Sequence, residues 1–239
     1  MDAENDKNES LKVLYEDNHI VAINKSPSDI IQGDKTGDEP LGEKVKRFIK
    51  KKYNKPGDVF LGVIHRLDRP VSGVVLFAKT SKALSRFNLL FKEKDIQKTY
   101  WAVVKNRPAK DADTLKNFLY KNEKQNKSYI SQTARVDAKA CELHYKIIDK
   151  SDKYFLLEVL PSTGRHHQIR VQLSTIGCPI KGDLKYGFDR SNQDASIHLH
   201  ARKIEFVHPI KNEKITIVAP TPNETLWQYF ESKMQVKKG

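Results

Sequence analysis

The run "GVVLFAKT", Gly73–Thr80, is apolar at every position through Ala78 and lacks the alternation of a strand with one wet face. A strand of this kind belongs in a buried interior, covered on both sides. Immediately before it stands "HRLDRPVS", which sets Arg66, Asp68 and Arg69 within four positions, while Pro70 and Gly73 bend the approach. A carboxylate beside a buried strand carries a large desolvation cost unless a cation stays close. A neighbouring arginine holds such an aspartate ionised, and an ionised, well-positioned carboxylate is a competent nucleophile. The plainer reading of the same stretch is an ion-pair cluster at a surface turn.

The rest of the chain reads as one mixed α+β domain over residues 11–234, between a disordered tail at 1–10 and a basic tail at 235–239. Val13–Tyr15 and Ile20–Ile23 have strand character and flank the turn-prone "EDN". "DEPLGEKVKRFIKKKYNK" repeats Leu41, Val45, Phe48 and Ile49 at helical spacing. A second helix, "SKALSRFNLLFKEK", has Ser81 as its expected N-cap, and "KTYWAVVK" (Lys98–Lys105) follows as a strand. Residues 106–135 are polar and lysine-rich without a long periodic segment, so a mobile surface excursion is expected there. A hairpin around "DKSD", a helix in "RHHQIRVQLSTIG", two strands and a final helix complete the pass.

Charge narrows the function. The 239 residues carry 43 Lys and Arg against 30 Asp and Glu, a formal net charge of +13, which favours a polyanionic partner. No apolar run approaches the ~20 residues needed to span a bilayer, and no amphipathic membrane-binding helix stands out, so nucleic acid is the expected partner. Lys44, Arg47 and Lys51 on the first helix, and the lysines of 105–127, are candidate phosphate contacts; for any single lysine the alternative is a solvated face. Cys141 and Cys178 lie far apart without metal-type spacing, which fits a reduced, cytoplasmic setting. No metal is expected, because His198 and His200 alternate on a strand without a third ligand. There is no G-x-G-x-x-G and no phosphate-binding loop, so no nucleotide cofactor is expected either.

A second segment, "STGRHHQIRVQL", adds cations on an element with core-facing Ile169 and Leu173. Ser162 or Thr163 is an expected helix cap, and Arg170 stands three and four positions after His167 and His166, a spacing that brings the three together on a helix. Taken in order, His65–Gly73, Gly164–Val171 and Gly177–Gly187 match the patterns H-R-L-D-x-x-[TV]-S-G, G-R-x-H-Q-[IL]-R-V and G-x-P-I-x-G-D-x-x-Y-G. With "YEDNHIVAINKSP", "KTYWAVV" and "LHARKIEFVHP", the chain resembles the RluA family of RNA pseudouridine synthases over nearly its whole length after the tail. Val71 and His166 depart from the commoner residues of that pattern.

The resemblance implies a largely antiparallel mixed sheet flanked by helices, and conversion of specific uridines in structured ribosomal or transfer RNA to pseudouridine without metal or cofactor. It implies that Asp68 is the nucleophile, at ribose C1′ or at C6 of the base. Tyr100 would stack on the flipped base and assist proton removal; Arg170 would hold Asp68, with Arg165 as the fallback. Arg66 would enter the RNA stack where the base had been, with Arg165 and His167 among the RNA contacts. A monomer is expected, without the small RNA-binding domain that precedes the catalytic one in many relatives, so that substrate selection would fall to the catalytic domain and its 106–135 excursion. The rivals are a non-catalytic RNA-binding or RNA-chaperone protein of the same fold, and a metal-dependent nuclease, which would need clustered acidic ligands.

Overall fold

The backbone is organised by a sheet whose central strands are clamped between helices on both faces. The computed structural model describes residues 11–33, 37–133 and 135–236; the expected tail at 1–10 lies outside them, as do 237–239. In chain order the elements are β1 (Val13–Glu16), β2 (Ile20–Lys25), α1 (Leu41–Lys52), β3 (Gly62–Val63), β4 (Ser72–Ala78), α2 (Ser81–Glu93) and β5 (Gln97–Val104). They continue as β6 (Ala112–Asn122), β7 (Lys127–Ser131), β8 (Lys139–Lys150), β9 (Phe155–Pro161), α3 (Gln168–Thr175), β10 (Leu199–Val207), β11 (Lys214–Val218) and α4 (Thr225–Val236). The strand order is β1-β2-β4-β10-β5-β9-β8-β6-β7, with β3 beside β4 and β11 beside β10. Pairing is antiparallel throughout these ladders except between β4 and β10.

The apolar run is explained by this placement. Val74, Leu76 and Ala78 of β4 pack with Ala83 and Phe87 of α2, whereas Val75 and Phe77 pack with Leu41, Val45 and Ile49 of α1. The second half repeats the plan: Ala102 and Val104 of β5 meet Ile169 and Leu173 of α3, while Trp101 and Val103 meet Trp227 and Phe230 of α4. Leu67, just ahead of β4, packs against both the α1 and the α3 clusters, so the segment carrying Asp68 is wedged between the two halves.

Three local expectations are corrected. The α2 cap is Thr80, not Ser81: its extended backbone lets Oγ1 accept from the Ala83 N–H at 3.1 Å, and Ser81 is already helical. Residues 106–135 are not an excursion. They contain β6 and β7, with β6 paired to β8 over eight residues, because Leu115 and Leu119 alternate towards the interior among the lysines. The helix after "STG" begins at Gln168, since His167 takes a left-handed conformation (φ 53°) and turns the chain into α3. Thr163 consequently does not cap it; its hydroxyl donates to Gln168 Oε1 at 2.7 Å.

The β4–β10 crossing depends on one glycine. Gly73 has φ +114°, and a Cβ there would stand 2.3 Å from the Ala201 carbonyl oxygen. Gly73→Ala should therefore cost at least about 2 kcal/mol of unfolding free energy, read by urea denaturation, because neither the conformation nor the space accepts a side chain. A loss below about 0.5 kcal/mol would contradict this packing.

Candidate active site

Asp68 sits at the centre of a small polar system assembled from three distant parts of the chain. Its own loop is fixed from beneath by Lys25, the last residue of β2, which is 1% exposed. Lys25 Nζ donates to the carbonyls of Ser26, Arg69 and Val71 at 2.9, 3.0 and 2.6 Å. Burial lowers its pKa to about 8, against the raising influence of Asp29 and Asp68. The Val71 N–H donates to the Asp68 carbonyl, closing a turn with Arg69 and Pro70 at its centre, and the Ile197 N–H donates to the Pro70 carbonyl.

Arg170 reaches this loop from α3. Nη1 donates to Asp68 Oδ2 at 3.1 Å. The rest of the guanidinium is engaged by Asp183, with Nε to Oδ2 at 2.7 Å and Nη2 to Oδ1 at 2.8 Å. Arg170 and Asp183 are almost wholly buried (6% and 1% side-chain exposure), while Asp68 keeps 28%. The fork of Arg170 is therefore anchored by one carboxylate and presented to another, a geometry that a lysine does not supply. Among the described residues no hydrogen bond or ion pair reaches Asp68 Oδ1.

Tyr186 completes the support. The Arg170 guanidinium lies 5.1 Å from its ring centroid, and its hydroxyl accepts from the Ser128 N–H at 2.9 Å. The same hydroxyl shares a hydrogen bond with His167 Nδ1 at 2.9 Å, while Nε2 of that ring lies 3.5 Å from Asp68 Oδ2. Burial, then the nearby Arg170 and His166, push the His167 pKa down to about 2, so the imidazole is neutral and the charge opposite Asp68 comes from Arg170. Asp183 and Tyr186 lie in "GDLKYG", a stretch whose family pattern by itself assigns neither residue a role. For Lys25 the available sequence signal is a lysine that ends an apolar strand.

The pocket above Asp68 is lined by Tyr100 and Leu199 from the sheet, Arg66 and Val71 from the loop, and Arg165 and His167 ahead of α3. Burial first, and the Asp68 charge second, raise the Tyr100 pKa, which keeps the ring a neutral phenol. Arg66 is exposed at the rim, within 3.4 Å of Gln32 Oε1. Arg165, the fallback for holding Asp68, instead donates from Nε to the Ala140 carbonyl and lines the rim. Lys44, Arg47 and Lys51 do not line this pocket or the two grooves beside it. They stand on the lysine face of α1, where Lys44 pairs with Asp29 and Arg47 with Glu39. Lys121 and Lys185 line one of those grooves.

His200 lies in β10 and His198 just ahead of it, and both rings pack against Trp227 of α4. His198 meets Glu224 Oε2 at 3.0 Å, and His200 joins the Ser72 hydroxyl to the Ala219 carbonyl. Among the described residues no group of three or more His, Cys, Asp or Glu is placed to hold a metal ion. His65, half-buried, and the buried His167 and His200 all have pKa values lowered mainly by desolvation, to about 3, 2 and 4. The unfolded chain binds these protons near pH 6.5 and the folded chain does not, so stability should fall as pH drops below about 6.5. The His167 ring resonances, followed by NMR, should stay unchanged from pH 8 to pH 5; a midpoint above pH 5 would contradict the neutral ring.

Comparison with known proteins gives the family. Residues 19–175 match the family model described as RNA pseudouridylate synthase. The chain is 34% identical over 214 residues to "Ribosomal large subunit pseudouridine synthase C" of Rickettsia prowazekii, covering 88% of this chain and 68% of that protein. It is 33% identical over 216 residues to the Escherichia coli protein of the same name, covering 87% and 66%. The chain thus spans about two-thirds of the length of those relatives. Among solved structures, "Human RNA Pseudouridylate Synthase Domain Containing 4" superposes with a TM-score of 0.76 at 23% identity, covering 92% of both chains, a likeness of fold. Motifs, fold and matched residues together identify the chain as a member of the RNA pseudouridylate synthase family, of the RluA type that its sequence resembles.

Proposed function

We propose that this protein converts uridine to pseudouridine in ribosomal RNA, with Asp68 as the nucleophile. The observation that carries the reading is the Asp68 carboxylate itself: Oδ2 is pinned by Arg170, Oδ1 is free of partners among the described residues, and a pocket stands open above it. Ribosomal RNA is favoured over transfer RNA by the names of the relatives.

Asp68 attacks C1′ as the N1–C1′ bond breaks, leaving an ester; the base then rotates, C5 bonds to C1′, and the ester C–O bond breaks to return the carboxylate. C5 loses a proton, N1 gains one, and nothing is oxidised. The uridine must leave its stack to reach Asp68, at a cost of a few kcal/mol. Tyr100 offsets part of that by stacking on the base, and Arg66, exposed at the rim, by filling the gap. Arg165 and His167 line the same opening, so both are contacts for the nucleotide. As a neutral phenol Tyr100 suits stacking better than proton removal. Once the ester to Asp68 has broken, the freed carboxylate is the better base for the C5 proton. The α1 cations Lys44, Arg47 and Lys51 add to the general attraction for RNA rather than to the grip on the target nucleotide. Among the described residues no helix is long and apolar enough to cross a membrane, and both cysteines are free and buried.

A transcribed large-subunit ribosomal RNA carrying 5-tritiated uridine tests this directly. Wild-type protein should release tritium to water, and Asp68→Asn should lower that rate by about 10³-fold or more while still binding RNA. Equal release by the two proteins, or none by the wild type, would contradict the assignment and favour a non-catalytic RNA-binding role.

A further inference from the structure

The pocket over Asp68 opens at its rim onto two larger grooves, and Lys98 lines all three, beside Gly164 and Arg165. Lys98 stands on β5 two residues before Tyr100, so both side chains leave the same face of the sheet. Its ammonium lies 5.9 Å from the Phe91 ring centroid and 3.7 Å from where a Cβ on Gly164 would stand. The absent side chain at Gly164 thus leaves space directly over the charge.

Among the described residues no hydrogen bond or ion pair reaches that ammonium. This sets Lys98 apart from its neighbours. Arg170 is held by two carboxylates, Lys25 by three carbonyls, and Arg165 donates to Ala140. Lys98 lies over the Phe91 ring and close to His65, whose lowered pKa keeps it uncharged, and burial lowers the pKa of Lys98 itself. A half-sequestered cation without a counter-charge is costly to keep in a protein of this size. Here it faces the entrance that a nucleotide must use.

We propose that Lys98 binds the phosphate of the flipped uridine, fixing the RNA backbone at the mouth of the pocket while Tyr100 holds the base inside. The assignment rests on the uridine-isomerase reading above. A nucleotide drawn out of a continuous strand keeps its phosphates at the rim, because the strand must leave on both sides. One groove from that rim is flanked by Lys92 and Lys94, the other by Lys121 and Lys185. Lys98 stands where the two meet, the position at which the backbone bends furthest towards Asp68. The alternative partner inside the pocket, a uracil carbonyl, would place the ammonium against the reacting base and make it a contributor to chemistry.

Lys98→Met and Lys98→Arg, each compared with wild type on transcribed large-subunit ribosomal RNA, separate these roles. Filter binding across a series of KCl concentrations gives the slope of log Kd against log salt. Loss of one phosphate contact should make that slope shallower by about 0.7 in Lys98→Met. KM should rise about tenfold, with kcat lowered by no more than about threefold. Lys98→Arg, which keeps the charge, should retain the wild-type slope. An unchanged slope in Lys98→Met, or a loss carried mainly by kcat, would overturn the phosphate assignment, the latter in favour of the uracil carbonyl. If the wild type formed no pseudouridine the isomerase reading would fail, yet the slope would still report whether Lys98 holds a phosphate.

Discussion

A single guanidinium between two carboxylates is the interaction on which the rest of the site depends. Asp183 and Arg170 form a bidentate pair inside the protein, and an isolated charge of either sign at that depth would be strongly disfavoured. Their pairing satisfies most of the fork and leaves Nη1 directed outward. Asp68 is the group it meets, one oxygen tied and the other free. The carboxylate is thereby fixed in direction without being used up, which is what a nucleophile needs before its substrate arrives. Neutral His167 and Tyr186 contribute packing and hydrogen bonds to the same assembly without competing for its charge.

This arrangement needs its partners delivered to one point from residues about a hundred apart, and the sheet does that. Asp68 leads directly into β4, and Arg170 rises from α3, which packs on β5 and β9. β10 lies between β4 and β5, so it sets the distance separating the two halves. The tight passage of Gly73 beside Ala201 draws β4 against β10. Lys25 then ties the end of β2 to the Asp68 loop through carbonyls on either side of Pro70. Fold and chemistry are thus linked through backbone contacts rather than through side chains of the pocket alone.

Much of this is legible in the sequence, for reasons that differ by element. The apolar β4 and the periodic α1 and α2 are specified by burial, which leaves a pattern along the chain. Asp68 and Arg170 are legible because their motifs are long and ordered, and the structure does bring them together. Residues 106–135 resemble a loop in sequence because β6 holds its place by ladder hydrogen bonds to β8, and lysines on its exposed face mask a weak alternation. The start of α3 is hidden because a left-handed histidine is unusual enough to leave no compositional sign. The importance of Asp183 lies in a partner thirteen residues earlier, a pairing that only the folded chain displays. The lysines of α1 stand apart from the pocket, and net charge says nothing about which face a charge occupies.

The single-turnover rate of pseudouridine formation by Arg170→Lys tests the central claim most directly. The substitution keeps a positive charge at the site but removes the planar fork that binds Asp183 and Asp68 together. With ribosomal RNA prebound at saturating protein, the chemical step should slow by about a hundredfold or more, while RNA affinity stays within about threefold of wild type. A rate within about threefold of wild type would mean that Asp68 does not depend on the geometry of Arg170, and the shared guanidinium would lose its place at the centre of the site.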